Sequence, residues 1–191
     1  MQGDPRTGVA VFAFETSRST EDVKTYDVEL ILADLRSNRL KARLSLKDVW
    51  ESDAYKIDSA EISKVNYQVR HKATVFGLAE SWSGSSSVSF YNIRKLSLFT
   101  QRGATIVPLL TELVTEIYQG EGCDVHTTRD LEVQPSQAKG YAPIRVSERQ
   151  IGIARENMTC PPVSSERSEV LRYRNGRYFV PEHLKPFGQA Q

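Results

Sequence analysis

Apolar and polar residues alternate along most of this chain with the period of two that a half-buried strand requires. Tyr26, Val28, Leu30 and Leu32 are spaced in this way, and Leu40, Ala42, Leu44 and Leu46 repeat the pattern beyond a polar stretch at 35–39. Pairing Leu30 with Leu44 and Leu32 with Ala42 places all of these apolar residues on one face. A two-residue turn at Ser37-Asn38 would oppose Leu32 to Arg43, so the pattern selects the longer loop. Residues 8–14 are a continuous apolar run rich in branched and aromatic side chains, which reads as a buried strand. Further strands are expected at 65–69, 73–77, 95–101, 104–107, 130–134 and 144–147, with Arg102-Gly103 as a hairpin turn.

Residues 108–119 carry two patterns at once. Leu109, Leu110, Leu113, Val114, Ile117 and Tyr118 have helical spacing, with Pro108 ahead and Gly120 behind, while the β-branched content favours a strand. Residues 49–62 read as an acidic, irregular loop, and 150–168 as a loop around Cys160 and Pro161-Pro162. The stretch 81–89 holds six serines and reads as a mobile loop that carries Trp82. The expected fold is mainly β: antiparallel sheets in a sandwich or barrel-like arrangement, with at most one or two short helices, in a single domain spanning residues 1–191.

Composition supports an ordinary folded domain. Of 191 residues, 39% are hydrophobic and 26% charged, enough to build a core at this length. Twenty-five Lys+Arg against 24 Asp+Glu leave a net charge of +1, which argues against nucleic acid as a partner. No apolar run reaches the ~20 residues of a membrane-spanning helix. The three histidines lie outside any metalloprotease pattern, and no serine sits in a nucleophile elbow. Asp48, Glu51, Asp53 and Asp58 lack the regular spacing and glycine of a calcium loop and read as solvated acids. No cofactor or metal is therefore expected.

Cys123 and Cys160 are the chain's two cysteines. A bridge between them would close a 38-residue loop and contribute about 4 kcal/mol in the chain-entropy model. Free thiols and a metal or redox role stay open alternatives, because the residues alone do not choose among them. Residues 1–5 carry neither a basic nor an apolar signal region, so the chain is expected either to stay in the cytosol or to begin after a removed signal.

The strongest local signal is Asn175-Gly176, a pair suited to a type I′ turn. It pairs Arg174 with Arg177, Tyr173 with Tyr178, Arg172 with Phe179, and Leu171 with Val180. Alternation then puts Leu171, Tyr173, Tyr178 and Val180 on a core face, and Arg172, Arg174, Arg177 and Phe179 on an outer face. Residues 139–191 hold nine Lys+Arg against five Glu, so this end is locally basic. Such a face is either a solvated surface or an anchor for an acidic partner, since arginine and aromatic residues dominate interface hot spots. Trp82 could likewise stack on a sugar or anchor a protein, or it folds back onto the sheet.

The motifs Ser52-Asp53-Ala54, Ile57-Asp58-Ser59-Ala60, Val75-Phe76-Gly77, Leu96-Ser97-Leu98-Phe99, the spaced cysteines and the closing Tyr173-Arg174-Asn175-Gly176-Arg177-Tyr178 resemble a loose group of uncharacterised exported (periplasmic) proteobacterial β-rich proteins. That resemblance implies a periplasmic or secreted protein in which Cys123 and Cys160 are paired, and it carries no catalytic residue. The expected function is a non-catalytic binding protein, for instance an inhibitor or immunity protein against a cell-envelope hydrolase. A glycan- or cell-wall-binding module and an unrecognised hydrolase are the alternatives.

Overall fold

The computed structural model describes residues 6–63, 67–71, 73–84, 90–120, 123–135, 140–154 and 164–186. Ten strands share one sheet: β1 (Thr7–Glu15), β2 (Lys24–Asp34), β3 (Arg39–Ser52), β4 (Tyr55–Ser63), β5 (Val75–Gly84), β6 (Phe90–Arg102), β7 (Thr105–Gly120), β8 (Cys123–Val133), β9 (Ile144–Ala154) and β10 (Ser164–Leu171). The order is β1-β2-β3-β7-β6-β5-β4, while β8 pairs with β7, β9 with β8, and β10 with β9. Every pairing is antiparallel except a single parallel bridge, Arg43 of β3 to Thr105 of β7. The path curls until β4 approaches β1 again without forming a ladder to it, giving a nearly closed, barrel-like sheet. A small hairpin, β11 (Tyr173–Arg174) and β12 (Arg177–Tyr178), and one 3-10 turn at Glu182–Leu184 follow. No α-helix occurs among the described residues.

Alternation fixes the middle of the β2–β3 hairpin as the sequence requires, but a bulge between Leu32–Ala42 and Ala33–Leu40 breaks it near the turn and leaves Leu40 exposed rather than on the buried face. Leu30 faces Leu44 and Leu32 faces Ala42, and Val28, Leu30, Leu32 and Ala42 are all buried. The β6–β7 turn lies one residue later than expected: Arg102 pairs with Thr105, so Gly103 and Ala104 occupy its centre. Gly103 takes φ +61, the sign needed at the first central position of a type II′ turn.

The ambiguous segment 108–119 is strand, within β7. Leu96 and Leu98 of β6 with Leu109, Leu110 and Leu113 of β7 join one hydrophobic cluster. Ile93 and Phe99 with Ile106, Val114 and Ile117 join the other, which fills the barrel interior with Leu30, Phe76 and Trp50. Both faces of β7 are thus buried. Between Arg94–Glu116 and Phe99–Pro108, β7 uses eight residue steps against five on β6. Those extra residues are bulges that shift the side-chain phase, and Glu112 takes φ +55 within them. A strand buried on both faces and phase-shifted by bulges leaves apolar residues three and four apart, which imitates a helix.

Several expectations need correction. Residues 8–14 form a strand at the sheet edge rather than a buried one, and Phe12 and Phe14 are about half exposed. Residues 49–62 are not an irregular loop but the end of β3 and most of β4. The serine-rich stretch is strand as far as Gly84, and 85–89 lie outside the described residues. Most of 150–168 divides between β9 and β10, with 155–163 outside the described residues.

Leu113 touches no solvent, so Leu113→Ala is expected to lower the urea unfolding free energy by about 2–5 kcal/mol. Val170, 40% exposed on β10, is expected to change it by less than about 0.5 kcal/mol as alanine.

Candidate binding site

Asn175 and Gly176 take φ +51 and +91, as a type I′ turn demands, and Tyr173 pairs with Tyr178 and Arg174 with Arg177. The two-residue strands end there, so the ladder does not extend to Arg172–Phe179 or Leu171–Val180. The predicted facial division nevertheless holds. Leu171, Tyr178 and Val180 are buried in the second core cluster with Tyr173 packed against it, whereas Arg172, Arg174 and Arg177 are exposed. Phe179 is 69% exposed, the most exposed of the large hydrophobic side chains described.

Around this hairpin the fold assembles groups that sequence reasoning missed. The Tyr141 and Tyr173 rings stack with centroids 4.2 Å apart, and Tyr178 meets Tyr173 edge-on at 5.5 Å. The Tyr178 hydroxyl donates to the Ala142 carbonyl at 2.6 Å. Burial and the neighbouring tyrosines push its pKa upward, so it stays a neutral donor. Arg102, at the end of β6, hydrogen-bonds Tyr141 and donates from Nη2 to the Tyr173 hydroxyl at 2.6 Å. Arg70 lies 5.3 Å from the Tyr141 ring centroid, in cation–π range. No carboxylate among the described residues lies within 4 Å of Arg70, Arg102, Arg172, Arg174 or Arg177. The hairpin therefore displays three arginines and Phe179 on its outer face, while its inner face carries a packed tyrosine stack with Arg70 and Arg102 beside it. Only the Asn-Gly signal announced it in the sequence; Arg70, Arg102 and Tyr141 come from distant segments.

Trp82 follows the second of its two readings, folded back onto the sheet, and not the binding role. It lies in β5, 7% exposed, inside the first core cluster, and its Nε1 donates to Glu80 Oε2 at 3.2 Å. Trp50 donates to the same carboxyl. Lys95 Nζ sits 4.7 Å from the Trp82 ring centroid and 3.7 Å from Glu112 Oε1. This is a core indole anchored to a buried carboxyl, and the ring is not offered to a sugar or partner. Cys123 opens β8, and no free cysteine occurs among the described residues; Cys160 lies outside them. No group of three or more metal-ligating side chains occurs among the described residues, and none of their helices is long and apolar enough to cross a membrane.

Compared with family models, curated proteins and solved structures, the chain matches none.

Burial pushes the Glu80 carboxyl above its ordinary value, and Lys95 and the two indoles offset this only in part. Folding therefore favours the protonated form. The corresponding stability is present below the ordinary value of 4.5 and is lost as pH rises through the raised one. Glu80→Gln keeps an oxygen for the indoles and removes the charge. The stability of the natural chain relative to this variant should fall as pH rises above 4.5, read as urea midpoints; a constant difference would contradict the assignment.

Proposed function

We propose that the protein is a non-catalytic periplasmic binding protein that grips an acidic surface of a protein partner with its hairpin end. In its sharpest form, it is an inhibitor or immunity protein acting on a cell-envelope hydrolase. The observation that carries this reading is the display of Arg172, Arg174, Arg177 and Phe179 on the exposed outer face of the hairpin, with Arg70 and Arg102 at the tyrosine stack on its other face, and no carboxylate among the described residues within 4 Å of these arginines. Arg174 and Arg177 are directly opposed across the hairpin, a repulsion that an acidic partner would relieve. Arginine and tyrosine are the residue types that concentrate interface energy, and the packed rings lose little entropy on binding. The glycan-binding alternative relied on Trp82, whose ring lies in the core, so no observation favours it here.

Export belongs to the same reading and pairs Cys123 with Cys160. The never-reduced protein should resist maleimide labelling until a reductant is added, whereas full labelling without reductant would remove the bridge.

The binding surface is tested by Arg172→Glu/Arg174→Glu/Arg177→Glu. These exposed positions tolerate charge reversal, so far-UV circular dichroism and the urea midpoint should change little. Capture of a purified acidic envelope hydrolase, or of the partner identified from an envelope extract, should fall about tenfold or more. Raising salt should weaken capture by the natural chain through screening. Unchanged capture by the folded variant at low salt would reduce the basic face to a solvated surface.

A further inference from the structure

Where β4 returns towards β1 the sheet stops short of closing, and the gap holds a cavity of about 270 Å³. Its lining comes from both edge strands and from the strands beneath. Val11 and Ala13 of β1 and Ile57 and Ala60 of β4 give it aliphatic walls. Tyr26 and Trp50, which face each other across β2 and β3, give it aromatic ones. Two irregularities make this lining. Between Tyr26–Trp50 and Val28–Leu46, β3 uses four steps against two on β2, so a bulge with Asp48 at φ +49 brings Trp50 opposite Tyr26. A second bulge, between Ile57 and Ser59, includes Asp58, the single charged residue of the lining. Ser83 Oγ donates to Asp58 Oδ1 at 3.0 Å, and the bond from Trp50 to buried Glu80 holds the indole from behind.

We propose that this seam is a binding site for an amphipathic cation: a short apolar stem ending in an ammonium or guanidinium group. Each part of the ligand has a counterpart. Aliphatic side chains cover the stem, aromatic rings attract a cation, and the Asp58 carboxylate pairs with it. A neutral apolar ligand would strip water from Asp58 without replacing it, and an anion would be repelled. The volume lies just below the usual range for ligand pockets and so suits a short stem. The same chemistry is offered by a small free amine and by a lysine or arginine on an extended peptide. For the peptide, β1 supplies an open edge, half exposed at Phe12 and Phe14, to which a strand could add.

The test titrates 2-phenylethylammonium and its neutral counterpart 2-phenylethanol into the folded protein, read by NMR shifts of the Ala13 and Ala60 methyl groups. Saturable shifts with the ammonium, and binding of the alcohol weaker by about tenfold, are expected. Asp58→Asn should remove that preference without altering the urea midpoint, and Ala13→Trp, which fills the cavity, should abolish both titrations. The Arg172/Arg174/Arg177→Glu variant should bind as the natural chain does, which separates this site from the hairpin end. A Val-Thr-Lys-Thr-Val peptide forms the second arm. Tighter binding than the free amine, with amide shifts at Phe12 and Phe14, identifies a peptide source, and response to the amine alone identifies a small cation. Equal binding of alcohol and ammonium, full ammonium affinity in Asp58→Asn, or no shift with any probe overturns the proposal.

Discussion

Strand β7 must satisfy two hydrophobic cores at once, and this constraint organises the rest of the molecule. Its Ile106, Val114 and Ile117 close the barrel interior, while Leu109, Leu110 and Leu113 form the floor beneath β9, β10 and the terminal hairpin. A regular strand would send alternate residues to opposite faces along its whole length. Bulges instead let consecutive leucines 109 and 110 serve one core before the phase returns. The same strand also carries three pairings, to β6, to β8 and at one bridge to β3. Little in this architecture could move without disturbing β7.

Polar groups buried along this junction are matched rather than merely tolerated. Arg129 of β8 bonds Glu148 of β9 through Nε at 2.8 Å, the Val114 carbonyl through Nη1 at 2.9 Å and the His183 carbonyl through Nη2 at 3.3 Å. Its side chain is almost fully buried, where an unpaired guanidinium would be severely costly. One residue thereby joins β7, β8, β9 and the turn after the terminal hairpin. That turn holds Leu184 in the second core, so the basic end sits on a scaffold fixed from both sides. Glu80 does comparable work in the barrel, where two indoles and Lys95 surround a carboxyl that burial would otherwise disfavour.

How much could be read from the chain follows from which interactions are local. The β2–β3 register was legible because only one pairing buries Val28, Leu30 and Leu32 together with Ala42 and Leu44. The Asn175-Gly176 turn was legible because two adjacent residues needed positive φ. Residues 108–119 were not, because a strand buried on both faces with bulges loses its period of two. Trp82 was misplaced because serines suggest a loop, yet small residues also suit a strand packed against bulky neighbours. The outer arginines of the hairpin could be found from alternation. Arg70, Arg102 and Tyr141 could not, since tertiary contacts alone bring them to Tyr173.

The two openings of the fold differ in sign and in rigidity. At the hairpin end, exposed arginines stand on a strand pair whose inner tyrosines are fixed by stacking and by the Tyr178–Ala142 bond, so the outer face is held in place before any partner would meet it. At the seam, Asp58 shares the cavity lining with Tyr26 and Trp50, and the flanking edges are held only on their inner sides. Under the two proposals, a cation suited to the seam would be repelled by the arginines, and an acidic segment suited to the arginines would be repelled by Asp58. Opposite local charge would then keep each surface from drawing the other's proposed ligand, although the whole chain is nearly neutral.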